Sequence, residues 1–569
     1  MLQIACTILL YLLLVIPVGN YLYKVATFKH TFMDRVLDKV DHVIYKFCGI
    51  DMNQEMDWKK YAFSLVLTNA VMLLIGYLIL RVQALPLFNP NGIGGMESTL
   101  SFNTVISFMT NTNLQHYSGE SGLSFLSQMM VITFMMFTSA ASGYAACIAF
   151  VRGLVGKDKT NMGNFFVDFT RIITRVLLPL SIIVSLLLVW QGVPQTLSGN
   201  VIAQTIGGAY QDIARGPVAA LESIKHIGTN GGGFFGANSS MPFENPTIIS
   251  NIIELYSMMI LPGACVIMFG KMVDERKGSN KKSIFGSEGR TIFIAMGILF
   301  LVSLSLCYFA EQAGNPALQQ VGLSQVMGNM EGKEVRFGIS QSALFTTTTT
   351  AFTTGTVNNM HDTLTPMGGF VPLLNMMLNL VFGGKGVGLM NMIIYVILTV
   401  FICGLMIGRT PEYLGKKIGG KEMKLTALCI IIHPLLILAF SALAVSMQGG
   451  LQGISNPGFH GLTQVLYEFS SSAANNGSGF EGLADNNVFW NVTTGLVMFF
   501  GRYLAIVIQL AIAGSLMKKQ FVAETVGTLK TSTVTFTIAL VLIIYIFAAL
   551  TFFPALSLGP VAEHFMLWG

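Results

Sequence analysis

Four polar triplets recur at almost equal intervals: Asn111-Thr112-Asn113, Thr229-Asn230-Gly231, Thr353-Thr354-Gly355 and Asn475-Asn476-Gly477, with first residues 118, 124 and 122 positions apart. Each follows about twelve residues of helical patterning and lies between long apolar stretches. Three of the four carry Gly at the third position, where a backbone must turn or come close to something. A period this long exceeds a solenoid unit but suits a whole helix–loop–helix hairpin in a membrane. Four such loops converging on one axis would make a ring of oxygens, the layout of a cation filter.

The chain is 53% hydrophobic and only 11% charged over 569 residues, against about 25% charged in a soluble domain, so it reads as a polytopic membrane protein. Of its 33 Lys and Arg residues, 26 crowd five segments: Lys24–Lys60, Arg152–Arg175, Lys271–Arg290, Arg409–Lys424 and Lys518–Lys530. The positive-inside rule places these segments in the cytoplasm. The cation-poor, Gly- and Asn-Pro-rich connections Leu85–Gly95, Gln191–Gln211, Glu311–Gly338 and Met447–His460 then face outward. The seven cysteines are scattered without CxxC or metal spacing, which implies neither a disulfide framework nor a zinc site. Leu2–Val18 lacks a basic n-region and a small-residue cleavage site, and reads as a retained helix.

Apolar spans fall near 2–22, 61–81, 123–151, 172–190, 248–270, 291–310, 367–408, 425–447, 487–514 and 532–553. The expected fold is an all-α polytopic membrane protein with ten transmembrane helices and both termini outside. Four pseudo-repeats of helix, pore half-helix, filter strand and helix surround one pore, with an extra helix at each end. The corresponding division is 1–60 (first helix and cytoplasmic loop), 61–160, 161–285, 286–420 and 421–525 (pore repeats) and 526–569 (last helix). The segments leading from Ser98, Pro217, Ser340 and Phe459 to the triplets are too short to cross, since twelve helical residues span about 18 Å. As half-helices they would point partly negative C-terminal ends at the axis, which favours a cation there. The span 367–408 is too long for one pass and is interrupted at Gly383-Gly384-Lys385-Gly386-Val387-Gly388. It reads as a broken helix whose glycine loop lies at membrane depth beneath the third filter strand. Lys385 there, and Arg502 in the last paired helix, are costly, at roughly 2.5–3.5 kcal/mol for a central cation. Neither can bind a cation; each could be a barrier, a gate or an anchor for a carboxylate.

The triplets offer carbonyl, hydroxyl and amide oxygens, the ligands that replace water around a hard monovalent ion. None contains Asp or Glu, as a divalent-ion filter would. One such motif alone is an ordinary Asn/Gly turn; four in register, each behind a half-helix, favour a potassium filter. Gly228–Phe235 lacks the GK[ST] ending of a nucleotide loop, and Gly384–Gly388 follows no soluble strand. Asp158-Lys159-Thr160 only begins like a P-type phosphorylation motif and reads as a solvated turn. His361-Asp362 reads as a loop pair that braces the filter, and the Thr346–Thr350 hydroxyls as partners of the preceding turn and filter backbone.

The stretches TNTNLQHYSGESG (110–122), GTNGGGFFGANSSMPFENP (228–246), GLMIGRTPEYLGKKI (404–418) and SSAANNGSGFEGL (471–483) resemble the KdpA family, the potassium-binding subunits of bacterial Kdp complexes. The resemblance covers essentially the whole chain. It implies the fold of the superfamily of K⁺ transporters and filter positions Asn111, Thr229, Thr353 and Asn475, with Thr112, Asn230, Thr354 and Asn476 beside them. The third positions Asn113, Gly231, Gly355 and Gly477 complete the filter. Gln115 matches a family position that would support it and Arg502 a family arginine beneath it; from the residues themselves, Gly232 reads as filter support and Gly383, Gly384, Lys385 and Gly386, with Arg502, as the gate or barrier. It further implies K⁺ as the only metal, held at the filter, and no organic cofactor or ATP-hydrolysing site on this chain. ATP and Mg²⁺ would sit on a P-type ATPase partner, with a single-helix-anchored subunit and a short hydrophobic peptide completing an importer in a bacterial inner membrane. The chain departs from the family in lacking an acidic residue just before Phe382-Gly383-Gly384 and in carrying Lys385. The alternatives are a Trk- or Ktr-like channel or symporter with a cytosolic ring, and a non-transporting scaffold or receptor.

Overall fold

Among the described residues ten helices are long and apolar enough to cross a membrane, and the chain is a multi-pass membrane protein. The computed structural model describes residues 2–156, 160–278, 283–522 and 528–569. The Asp158-Lys159 turn and the repeat boundary after residue 525 lie outside the described residues.

Helix α1 (Leu2–Ala26) is followed by an amphipathic helix, α2 (Asp34–Cys48), and by α3 (Trp58–Val82). The first pore unit runs from α3 through half-helix α4 (Ser98–Met109) to α5 (Phe125–Val155). The second comprises α6 (Phe165–Trp190), an antiparallel hairpin of β1 (Val201–Gln204) and β2 (Tyr210–Ile213), half-helix α7 (Val218–Ile227) and α8 (Ile248–Lys277). In the third, α9 (Ser287–Gln312) and half-helix α10 (Gly338–Ala351) precede the broken pair α11 (Pro366–Leu378) and α12 (Val387–Met406). The fourth is α13 (Gly420–Ser446), half-helix α14 (Phe459–Ala474) and α15 (Val488–Met517), and α16 (Val534–Leu556) stands after it.

The half-helices are 12, 10, 14 and 16 residues long, or roughly 15–24 Å, short of a ~30 Å hydrocarbon core. Two begin at the expected Ser98 and Phe459, the second one residue after Pro217, and the third at Gly338, two residues before Ser340. Glu97 starts the first by accepting from the Thr99 and Leu100 amides, which satisfies orphan donors of the first turn. All four stop in the same way. The first triplet residue turns left-handed, with φ of 60° at Asn111, 48° at Thr229, 50° at Thr353 and 54° at Asn475. Asn accepts this conformation readily, whereas a β-branched Thr does so only where its surroundings hold it.

Spans α5 and α6 extend past their apolar stretches because polar residues at their ends are paired inside the protein. Arg152 meets Asp168 at 2.7 Å, and Arg175 binds Asp34, Asp38 and Asp41 of α2. Inner and outer helices differ sharply in exposure. In the most apolar window of α5, 89% of residues are buried, against 22% for α13, so α5 packs beside the filter while α13 gives its leucines to lipid.

The predicted break in the seventh span is present. Asn379 ends α11 in left-handed geometry, Phe382, Lys385 and Gly386 share that region, and α12 starts at Val387. Phe382 stacks face to face on Phe352 at the foot of the third half-helix, with centroids 5.0 Å apart. Gly388 passes so close to Gly383 that a Cβ there would lie 2.2 Å from the Gly383 nitrogen, so any side chain would force the loop open.

Candidate functional site

The filter is built from one hydrogen bond repeated four times. The amides of Thr112, Asn230, Thr354 and Asn476 each donate to the carbonyl five residues back on their own half-helix: Ser107, Lys225, Thr349 and Ser471, at 2.8–2.9 Å. The third-position amides of three strands point the same way, Asn113 to the Ser107 carbonyl, Gly355 to Thr349 Oγ1 and Gly477 to Ser471 Oγ. With its N–H groups engaged outward, each strand turns carbonyl oxygens to the axis, where no backbone donor competes for them.

The carbonyls crowd closely. A Cβ built on Gly231 would lie 2.8 Å from the Thr354 oxygen and 3.1 Å from those of Asn476 and Thr112. On Gly477 it would lie 2.0 Å from the Thr112 oxygen, and on Gly355 2.0 Å from that of Asn476. Glycine is therefore required by close approach in all three strands. The left-handed turn itself falls at Asn113 (φ 63°), Gly355 (92°) and Gly477 (105°), but in the second strand it moves on by one residue to Gly232 (70°).

Most triplet amide groups are engaged with neighbouring strands, while Asn230 Oδ1 is buried without a hydrogen-bond partner among the described residues. Asn111 Nδ2 donates to the Thr229 carbonyl at 2.9 Å, while its Oδ1 accepts from Ser139 and from Asn230. Asn230 also reaches Asn113, Asn475 donates to Thr112 Oγ1 and the Met498 carbonyl, and Asn476 holds the Thr349 carbonyl. These buried amides form a collar that ties neighbouring strands, with Asn113 Nδ2 and Asn230 Oδ1 left unpaired among the described residues. Gln115 extends the collar by accepting from the Gly233 amide at 2.8 Å and donating to its carbonyl at 3.1 Å. Gly232 faces it, with no room for a Cβ between Asn113 and Gln115.

At the inner end the structure corrects the placement of the glycine loop. It touches the second strand as well as the third. Gly383 abuts Thr353, Gly384 abuts Thr229 and Phe352, and the Lys385 amide donates to Thr229 Oγ1 at 2.8 Å. The Lys385 side chain, 1% exposed, then rises into the filter. Its Nζ donates to the carbonyls of Asn111 (2.8 Å), Thr353 (3.3 Å) and Asn475 (2.5 Å). The fourth first-position carbonyl, Thr229, is the one held by Asn111. Lys385 therefore anchors to no carboxylate among the described residues; its ammonium takes up the oxygens a K⁺ ion would use. Arg502 is buried beside it, and both crowd Gly143 of α5, where a Cβ would meet Arg502 Nη2 and the Lys385 carbonyl.

Above the filter a cavity of about 600 Å³ reaches Gly355 and Gly477 and is rimmed by Gln115, His116, Glu481 and Asp485. His361 and Asp362 brace this rim: Glu481 accepts from both their amides, and His361 Nδ1 meets Tyr467 at 2.7 Å. His116 bonds Asn491 and Glu468, with Asp485 at 3.8 Å. Behind the second strand, Lys225 pairs with Glu222 (2.6 Å) and Glu244 (2.8 Å), and Glu244 accepts from the Phe235 amide. These two groups escaped the sequence reading, although ionisable residues inside otherwise apolar half-helices were a visible signal. By spacing alone, His116–Glu468–Asp485 and Glu222–His226–Glu254 could each hold a metal ion.

Backbone strands from four quasi-equivalent units of one chain, closing a single carbonyl filter inside ten membrane helices, define a class of ion-filter membrane protein. The fold is similar to that of the potassium transporter TrkH from Vibrio parahaemolyticus, with a TM-score of 0.51 at 14% identity over 89% of this chain and 98% of that one. Residues 5–565 match the family described as KdpA, potassium-transporting ATPase A subunit. The chain is 59% identical to the potassium-transporting ATPase potassium-binding subunit of Clostridium acetobutylicum, over 100% of both chains. It is 54% identical to the subunit of the same name from Geobacillus kaustophilus, over 99% of this chain and 98% of that one. The chain belongs to the KdpA family of potassium-transporting ATPase A subunits.

Proposed function

We propose that this chain takes K⁺ from the outer cavity, strips its water in the ring of filter carbonyls and passes it inward as the ion-binding subunit of an ATP-driven importer. The observation that carries the reading is the fourfold amide bond from Thr112, Asn230, Thr354 and Asn476. It fixes four strands in one conformation and leaves oxygens, without carboxylates, facing the axis. The filter residues are the four triplets, supported by Gln115 and Gly232. Gly383, Gly384, Lys385, Gly386 and Arg502 form the inner barrier, and K⁺ is held at the filter.

An ion leaving the filter inward must displace the Lys385 ammonium from three carbonyls, so passive leak is opposed by a charge the chain itself supplies. Energy for that displacement comes from ATP hydrolysed with Mg²⁺ on a P-type ATPase partner, with K⁺ moved inward as ATP becomes ADP and phosphate. This chain carries no hydrolytic site and no organic cofactor. A single-helix-anchored subunit and a short hydrophobic peptide complete the assembly in a bacterial inner membrane. The cation-rich loops face the cytoplasm and both termini lie outside. The pore repeats are residues 61–160, 161–285, 286–420 and 421–525.

K⁺ and Na⁺ binding to the purified complex tests the reading. K⁺ is expected to be preferred by about 100-fold or more, equivalent to about 2.7 kcal/mol. The preference should collapse in Gly231→Asp, and inward flux should change in Thr229→Ala, which loses the hydroxyl holding the Lys385 amide. Equal affinity for the two ions, or wild-type behaviour of both variants, overturns it.

A further inference from the structure

Helix α2 sorts its side chains into faces that the filter does not use. At about 100° per residue, Asp34, Asp38, Asp41 and Tyr45 share one face, and Arg175 of α6 binds all three aspartates. On the opposite face Val36, Val40, Val43 and Phe47 continue a row begun by Phe32, and all five are exposed, Phe32 by 82% and Phe47 by 91%. A quarter-turn from that row, Arg35, Lys39, His42 and Lys46 are exposed as well. On the other flank, Ile44 and Cys48 line a cavity of about 420 Å³ with Met56, Lys60, Phe166 and Phe169.

Each of these features points to the same occupant. Asp34 and Asp41 are buried against Arg175, while Asp38 touches Arg175 with one oxygen and keeps a 62% exposed side chain, so the side of α2 turned away from Arg175 presents mainly the apolar and basic rows. An apolar row flanked by a basic row is the pattern of a helix lying in a membrane interface, with cations at the level of anionic headgroups. The next span, α3, also exposes large apolar side chains, Phe63 and Leu67 among them. The helix also joins the cation-rich ends of α1 and α3, where spans leave the membrane. The Arg175 clamp holds it at one depth and rotation, and the adjoining cavity has a mainly apolar wall with Lys60 and Asp51 among its lining residues.

We propose that α2 and this cavity form a binding site for an anionic phospholipid of the leaflet on the cation-rich face. The headgroup sits on Arg35, Lys39 and Lys46, and an acyl chain follows the Val36–Phe47 row. The site stands apart from the filter and does not depend on which ion the filter takes.

Native mass spectrometry of the full purified complex, offered phosphatidylglycerol or phosphatidylethanolamine, reads it directly. Wild type should retain the anionic lipid with at least about fivefold preference. Arg35→Gln/Lys39→Gln/Lys46→Gln should fall to parity, and Val36→Ser/Phe47→Ser should lose both lipids, with unchanged melting in each case because the Arg175 clamp is untouched. Equal retention of the two lipids by wild type, or an unchanged preference in the triple variant, overturns the proposal. In a second measurement, Phe47→Trp in nanodiscs should be quenched by spin-labelled phosphatidylglycerol. Absence of quenching in the assembled complex means that another subunit covers the face, and also overturns it.

Discussion

The outer and inner ends of the filter are built on opposite plans. Toward the cavity, four strands repeat one backbone hydrogen bond almost without variation, from Thr112 to Asn476. At the inner end that symmetry is gone. A single loop from the third unit touches the second and third strands, one ammonium serves three carbonyls, and a side-chain amide serves the fourth. Selection between ions of equal charge needs equivalent oxygens around a centre, which repetition supplies. Preventing leak needs something that sits on the axis, and only one of four units can place a side chain there.

The largest effect should come from breaking the symmetric end. Gly477→Ala forces a Cβ against the Thr112 carbonyl at a position with φ of 105°, and K⁺ binding should fall by about 100-fold or more while the complex still assembles; calorimetric titration of the purified complex checks it. Next, Lys385→Met keeps the bulk of the side chain and removes the charge. K⁺ affinity should rise about tenfold, and ATP-independent Rb⁺ flux into proteoliposomes should increase; unchanged flux would show that the ammonium is not the barrier. A smaller effect is expected from Asn111→Leu, which releases the Thr229 carbonyl from the collar. The K⁺ to Na⁺ affinity ratio should fall about three- to fivefold, equivalent to roughly 1 kcal/mol.

The smallest effect concerns the frame around both ends. His460 at the start of α14 bonds Asp362 and Glu563. Burial alone would lower its pKa, but these two carboxylates raise it to about 10. Because the folded value lies above the ordinary 6.5, the stabilisation is complete below pH 6.5 and is lost as pH rises through about 10. Melting temperature should decline over that window in wild type, and the decline should be flatter in His460→Gln.

Much of this architecture could be read from the residues. The spacing of the triplets marked the four units, segment length marked the half-helices, and Gly383–Gly388 marked the broken span. What stayed hidden depends on contacts between distant parts of the chain. Lys385 meets Asn111 across 274 positions, and no local pattern says which carbonyls a buried lysine will find. The partners of the Asn111, Asn230 and Asn475 amides were hidden for the same reason, since they lie on neighbouring strands. Helix ends were underestimated where charged residues such as Arg152 and Asp168 neutralise one another in space. The shift of the second-strand turn from Gly231 to Gly232 was likewise illegible, because consecutive glycines offer the backbone equal choices.

The tether on Lys385 has a thermodynamic side. A ring of carbonyl dipoles without a cation repels itself. An ammonium fixed to the backbone of the same chain is present at an effective concentration far above any dilute ion, so the ring keeps its shape between captures. K⁺ then enters by exchange with a resident charge and meets a site already spaced to receive it.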